Sequence, residues 1–211
     1  AGGLKTPLGS YTNTMQILNS GILQKYKINN VGVAGHPEGS PDISNKELEN
    51  ALFEKNSYAI KEGINMYIET QFCFDAKKVL SWEKNIRELG NVLPIKIGIP
   101  GPATIKALFR FAKISGIGPS MNFIAKQAKN VTKLLTIQSP DKLLLDLSNK
   151  MASDKDCLIS GFHFYPFGGF TKTVSYANAL SSGKFEILPN GKFFYKVWRK
   201  AFYDKYNYMF R

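Results

Sequence analysis

Short apolar runs alternate with stretches of helical periodicity along most of the chain. Residues 31–35, 66–74, 94–99 and 158–165 are near-continuously apolar and bounded by Gly, Pro or Asn, which predicts buried strands. Ala1-Gly2-Gly3-Leu4 reads as the tail of a fifth strand running into a Gly/Pro loop. Between them the 3.6-residue period predicts a helix over 11–25, with Met15, Leu18, Ile22 and Leu23 on one face. Further helices are predicted over 45–62, 76–88, 103–115, 122–136, 140–151 and 172–180. Ser44, with Glu47 three residues on, has the form of a capping box, and Gly63 and Gly90 supply helix stops.

Strands that are apolar throughout are buried on both faces, which points to a parallel sheet with helices outside it. The polar and Gly/Pro-rich segments repeatedly follow strands, so candidate ligand groups gather on one rim. A doubly wound open sheet would carry a Gly-x-Gly-x-x-Gly phosphate loop after an early strand. Gly116-Ile117-Gly118 follows a helix instead and reads as a turn. The expected fold is therefore α/β of the (β/α)8 TIM-barrel type, present as an incomplete barrel of about five βα units. Five units cannot close eight strands, so the chain reads as the C-terminal portion of a longer protein. The alternative is a half-barrel that dimerises.

Residues 1–180 form the expected partial barrel, and 181–211 a basic, aromatic tail. In the tail, Asn190-Gly191 between the β-prone runs 184–188 and 193–197 signals a hairpin, and 198–211 a short helix. Its aromatics could stack on bases, or pack on the barrel and leave the lysines in water. The net charge of +12 raises nucleic acid or an anionic membrane as partners. Its carriers are almost all lysines, with arginine only at Arg87, Arg110, Arg199 and Arg211. Bidentate phosphate and base recognition favours arginine, so a solvated basic surface is the better reading and nucleic acid is not expected. Cys73 and Cys157 lie far apart in apolar runs and read as reduced core thiols of a cytoplasmic protein. No metal-ligand spacing, Gly-x-Ser-x-Gly nucleophile motif, signal peptide or membrane-length apolar run is present in this sequence. A polar, Gly-lined rim with few ionisable groups suits an organic cofactor that brings its own chemistry.

Thr70-Gln71 is the polar pair that breaks the apolar character of the central strand at its C-terminal end. A Gln amide offers two donors and one acceptor, which matches the edge of a heterocycle such as a pterin; it could equally cap the strand or face water. Thr70-Gln71-Phe72-Cys73-Phe74-Asp75, with His36-Pro37-Glu38-Gly39-Ser40-Pro41-Asp42 upstream and Gly161-Phe162-His163-Phe164-Tyr165 downstream, resembles the methylenetetrahydrofolate reductase family. The three motifs occur in the family's order and at roughly its spacing, and the resemblance runs from Ala1 to about Leu180.

That resemblance implies a barrel binding FAD at its C-terminal rim, NAD(P)H as co-substrate, a folate substrate and a homo-oligomer. Against the family the chain starts at about the fourth strand. Gly2 and Gly3 match an FAD-contacting loop, with Gly3 where the family commonly has Asp. Tyr11 and Thr12 match a pair near the cofactor, and His36 takes the place of a flavin-contacting Tyr. From the residues alone, His36 before proline reads as a loop histidine bonded to backbone. Glu38, Ser40 and Asp42 fall in the loop near the FAD ribose and pyrophosphate; without the family they are solvated turn residues. Glu49 aligns with a ribose-binding acid and Lys55 with a phosphate-contacting lysine; either could also lie on a solvated helix face. Gln71 matches the glutamine that binds the pterin, and Phe123 is the aromatic candidate for stacking on folate. His163 and Tyr165 are expected mostly to pack in the core, with Tyr165 near the rim and in reach of substrate. The family's Arg after this strand falls at about Gly169, for which Lys172 could substitute. The family's general acid belongs to its first strand, outside this sequence, so this stretch alone is expected to be inactive. The implied reaction is reduction of 5,10-methylenetetrahydrofolate to 5-methyltetrahydrofolate by way of FAD. The alternatives are a non-catalytic folate- or flavin-binding barrel, motivated by Gly3 and Gly169, and a polyanion-binding module using the tail.

Overall fold

A computed structural model describes residues 9–40, 43–115 and 134–195 of the chain. Its centre is a parallel sheet of four strands, β1 (Asn30–Gly35), β2 (Asn65–Phe72), β3 (Ile95–Pro100) and β6 (Ile159–Tyr165), in the order β1-β2-β3-β6. Within this sheet each strand lies beside the sheet strand that precedes it in the chain, so the sheet grows in one direction only. The segment expected to end a fifth strand, 1–4, lies outside the described residues.

Alternation along the strands separates two faces. Val33, Ile68, Ile95, Ile97 and Ile99 are buried on one, with Phe162 and Phe164 packed beside them. That face is covered by α3 (Asn45–Glu62), α4 (Ala76–Glu88), α6 (Asp141–Ser153) and α7 (Phe170–Ser181), which contribute Tyr58, Val79, Ile86, Leu144, Leu147 and Tyr176 to the same core. The other face carries Gly32, Ala34, Tyr67, Glu69, Lys96, Gly98, Gly161, His163 and, at the rim, Tyr165. Ala34 and Glu69 are exposed there, and the Lys96 ammonium sits 3.9 Å over the Tyr67 ring. A doubly wound sheet has helices on both faces; here α3, α4, α6 and α7 pack on one, as helices do around the wall of a barrel.

Local sequence fixes most boundaries. Ser44 accepts from the Glu47 N–H and Glu47 returns the bond to the Ser44 N–H at 2.9 Å, so the capping box opens α3, and Gly63 closes it in the left-handed region. Asp75 caps α4 by accepting from the Lys77 N–H. Two expectations need correction. The single helix over 11–25 is two short ones, α1 (Thr14–Leu18) and α2 (Ile22–Lys25), because Asn19 caps the first and Gly21 turns at φ +77° before the second. The helix over 103–115 is shorter: Ala103–Thr104 (β4) pairs antiparallel with Ile137–Gln138 (β5), and Thr104 caps α5 (Ile105–Ile114). The hairpin forms as expected between β7 (Phe185–Ile187) and β8 (Phe193–Tyr195), turning at Gly191 with φ +75°. It is tied to the main body by the Phe193 N–H, which donates to the buried Asp141 at 2.9 Å, while Tyr176 holds the other Asp141 oxygen. The expected helices over 122–136 and 198–211 fall largely or wholly outside the described residues, as do Gly2, Gly3, Asp42 and Phe123.

Candidate functional site

β1, β2 and β6 run parallel, so their C-terminal ends bring His36, Gln71 and Tyr165 to one rim; Gly35 pairs with Thr70, and Pro100 with Tyr165. A cleft of about 340 Å³ opens there between α3 and α4. It is lined by His36, Pro37, Glu38, Glu49, Lys55 and Trp82, among others. Four residues singled out from the sequence (His36, Glu38, Glu49 and Lys55) therefore share one cavity. Ser40 is half-buried in the same loop. Tyr11 is 44% exposed, and the Thr12 N–H and hydroxyl both donate to Gln16 Oε1, which makes Thr12 part of the entry into α1.

Lys55 is the most unusual group in the cleft. It lines the cleft beside His36, Pro37 and Glu38 of the loop that follows β1. It is only 8% exposed and makes no hydrogen bond or ion pair among the described residues. Burial pushes its pKa below the ordinary lysine value. His36 is likewise pushed below its ordinary value by burial and then by the nearby Lys55 charge, so its imidazole favours the neutral form. The carbonyl of His36 accepts from the Gly39 N–H, so its backbone serves the turn while its ring lines the cleft.

Gln71 lies beside a break in the β2–β3 ladder, between Glu69 and Phe72. Its Oε1 is turned back onto the Phe72 N–H at 3.3 Å, and its Nε2 makes no hydrogen bond among the described residues. The break also swings Phe72 onto the face of Tyr165. There Phe72, Phe74, Tyr165, Phe167 and Phe111 build an aromatic cluster over the rim, with Phe111 and Phe167 stacked 4.3 Å apart. Cys73 is buried beneath it, its thiol pushed up to about 12 by burial and then by the Glu38 charge, which makes it a core thiol, as expected.

His163 departs from the expectation of core packing. It lies half-buried on the face opposite the helices, and its Nε2 reaches the Thr70 carbonyl at 3.0 Å; the Tyr165 hydroxyl donates to the same carbonyl at 3.3 Å. A histidine and a tyrosine two residues apart on a strand share a face, a signal present in the sequence; their common target was not. Gly169 takes φ +108°, a backbone that L side chains rarely adopt. Lys172 is half-buried on the following helix. No group of three or more His, Cys, Asp or Glu is placed to hold a metal among the described residues, and none of their helices is long and apolar enough to cross a membrane.

Two comparisons bear on this arrangement. A family model described as methylenetetrahydrofolate reductase matches residues 15–168. Methylenetetrahydrofolate reductase 2 of Saccharomyces cerevisiae is 27% identical over 187 residues, covering 83% of this chain and 29% of that protein. The chain thus spans less than a third of the length of the curated relative it matches.

Proposed function

The chain belongs to the methylenetetrahydrofolate reductase family, and from that premise we propose that it forms the ligand-bearing rim of a flavin-dependent folate oxidoreductase. The reaction is reduction of 5,10-methylenetetrahydrofolate to 5-methyltetrahydrofolate, with NAD(P)H as the electron source and FAD as the carrier. In this reading the four strands are an arc of a (β/α)8 barrel completed by strands that precede them in a longer, cytoplasmic, homo-oligomeric protein. The observation that carries it is the buried Lys55 amine, which makes no hydrogen bond or ion pair among the described residues, in a cleft that it shares with His36, Glu38 and Glu49 at the end of β1. A buried cation that feels the Glu54 charge but forms no ion pair with it can take an anionic group. The cleft residues therefore fit the phosphate and ribose portion of FAD.

Lys55 would hold a phosphate, Glu49 a ribose hydroxyl and neutral His36 the flavin side of the group. Glu38 and Ser40, with Asp42, Gly2 and Gly3 outside the described residues, would close over it, and Tyr11 and Thr12 would border it. A bound flavin supplies the hydride chemistry. Gln71 then binds and orients the pterin edge, for which its Nε2 is uncommitted and its Oε1 only weakly held at 3.3 Å. Tyr165 and the rim aromatics keep water from that edge, with Phe123 proposed to stack on the substrate.

The test uses the full-length protein. Flavin absorbance is expected to bleach with NADH or NADPH and to return on adding methylenetetrahydrofolate. A preparation that takes up no FAD, or whose reduced flavin is indifferent to the folate, overturns the proposal. Flavin that binds and reduces but is not reoxidised by folate would favour the second reading, a binding protein on this scaffold. Gly169, which stands at φ +108° where the family has a basic residue, is the observation that favours that second reading.

A further inference from the structure

Between Glu69 and Phe72, β2 carries one residue more than β3 does between their partners Lys96 and Gly98. Such a bulge re-aims the side chains it contains. Here the two extra-ladder residues are Thr70 and Gln71, and their carbonyls are held by side chains. The Thr70 hydroxyl accepts from the Gly98 N–H at 2.8 Å and donates to the Gln71 carbonyl at 2.9 Å; the Cys73 thiol donates to that carbonyl as well, at 3.1 Å. The Thr70 carbonyl turns the other way, to His163 Nε2 and the Tyr165 hydroxyl. A carbonyl can only accept, so Nε2 of His163 carries the proton.

His163 and Tyr165 belong to β6, and Thr70 to β2, with β3 between them. The contact exists because β3 has glycine at the crossing point. A methyl group on Gly98 would stand 2.6 Å from the Thr70 carbonyl oxygen and 2.8 Å from Tyr165 Cε2, both closer than real contacts allow. Gly98 is thus a gap in the wall through which one strand holds the bulge of another.

We infer that His163 and Tyr165 are positioning residues: by donating to the Thr70 carbonyl through the gap at Gly98, they fix the peptide that aims the Gln71 amide at the rim. The inference rests on the reading of Gln71 as the contact to the folate pterin. Without these donors the bulge has a second orientation open to it, with the Thr70 carbonyl free to turn and the amide of Gln71 swinging with it.

In the full-length protein, His163→Leu is expected to raise KM for the folate substrate roughly fivefold, the worth of one neutral hydrogen bond. His163→Gln retains an N–H donor and is expected to recover most of that loss; Tyr165→Phe raises KM by a similar factor. Combined with Gln71→Ala, His163→Leu adds nothing further, because the group it aims is gone. Effects that multiply in the double variant overturn the inference, and so does a His163→Leu protein with unchanged KM. Gln71→Ala with unchanged KM overturns instead the reading beneath it. Bound flavin per chain reports folding throughout. Should His163→Leu fail to fold, the same cycle run with Tyr165→Phe decides, since that change removes one hydroxyl and keeps the ring.

Discussion

The two ends of the sheet treat buried polar groups in opposite ways, and neighbouring residues of one helix show it. Asn56 is buried on α3, toward the N-terminal ends of the strands, and is fully engaged. Its Nδ2 donates to the Leu52 carbonyl and to Asn91 Oδ1, and its Oδ1 accepts from the Val92 N–H. Nearby Glu83, 1% exposed, accepts from Arg87 and from the Leu158 N–H, and Arg87 reaches on to Asp154. Lys55, one residue before Asn56 and lining the cleft with His36 and Glu38, makes no hydrogen bond or ion pair among the described residues, though the Glu54 charge acts on it, and the Gln71 Nε2 at the rim is uncommitted. A satisfied polar group rigidifies; an unsatisfied one costs stability unless something else completes it. The first end holds the fold, and the second is where we propose that a ligand binds.

The comparison breaks most easily at Glu83. Glu83→Ala leaves the Leu158 N–H and Arg87 without their acceptor and is expected to cost about 3 kcal/mol of unfolding free energy, read from urea denaturation. The flavin affinity of molecules still folded should not change. Asn56→Ala strands the Val92 N–H and Asn91 and should cost about 2 kcal/mol by the same measurement. Lys55→Met has the opposite signature: FAD affinity in a titration falls about tenfold or more with loss of a charged hydrogen bond, while the ligand-free protein gains roughly 1 kcal/mol from losing an uncompensated buried ammonium. A Lys55→Met protein that is destabilised and binds FAD normally would erase the contrast between the ends.

The smallest effect is a pH dependence. His36 and His163 are both held below their ordinary value of 6.5, His36 by burial and then Lys55, His163 chiefly by burial, against the Glu69 charge and the bond to the Thr70 carbonyl and with help from Lys96. The unfolded chain therefore binds more protons in the window just below 6.5. Stability contributed by the neutral imidazoles is complete above that value and is lost as pH falls through their lower folded values. Thermal midpoints across this window should drop less for His36→Asn and His163→Asn than for the unsubstituted protein.

Several elements were legible without coordinates because their causes are local. Ser44 and Glu47 are three residues apart and satisfy each other within one turn; Gly63 and Gly191 stand where the backbone needs positive φ; Asn190-Gly191 turns the hairpin. The motif residues His36, Glu38, Glu49 and Lys55 could be chosen from type and order, and they do share a cleft. The break of the first helix at Gly21 was missed because Met15, Leu18, Ile22 and Leu23 keep a helical period straight through it. The role of His163 was missed because its partner lies 93 residues away.

The order of apolar and polar positions was enough to determine an α/β chain with buried parallel strands, and three short motifs were enough for the resemblance to the family. Those properties follow from periodicity and short motifs, which a chain carries within a few residues of each other. Tertiary structure alone decided that Lys55 is buried without a hydrogen bond or ion pair among the described residues, that one carbonyl of β2 is held from β6, and that glycine at 98 permits it. Each of these depends on which strands end up side by side and in what register, and a register is a relation between distant segments that no single segment encodes.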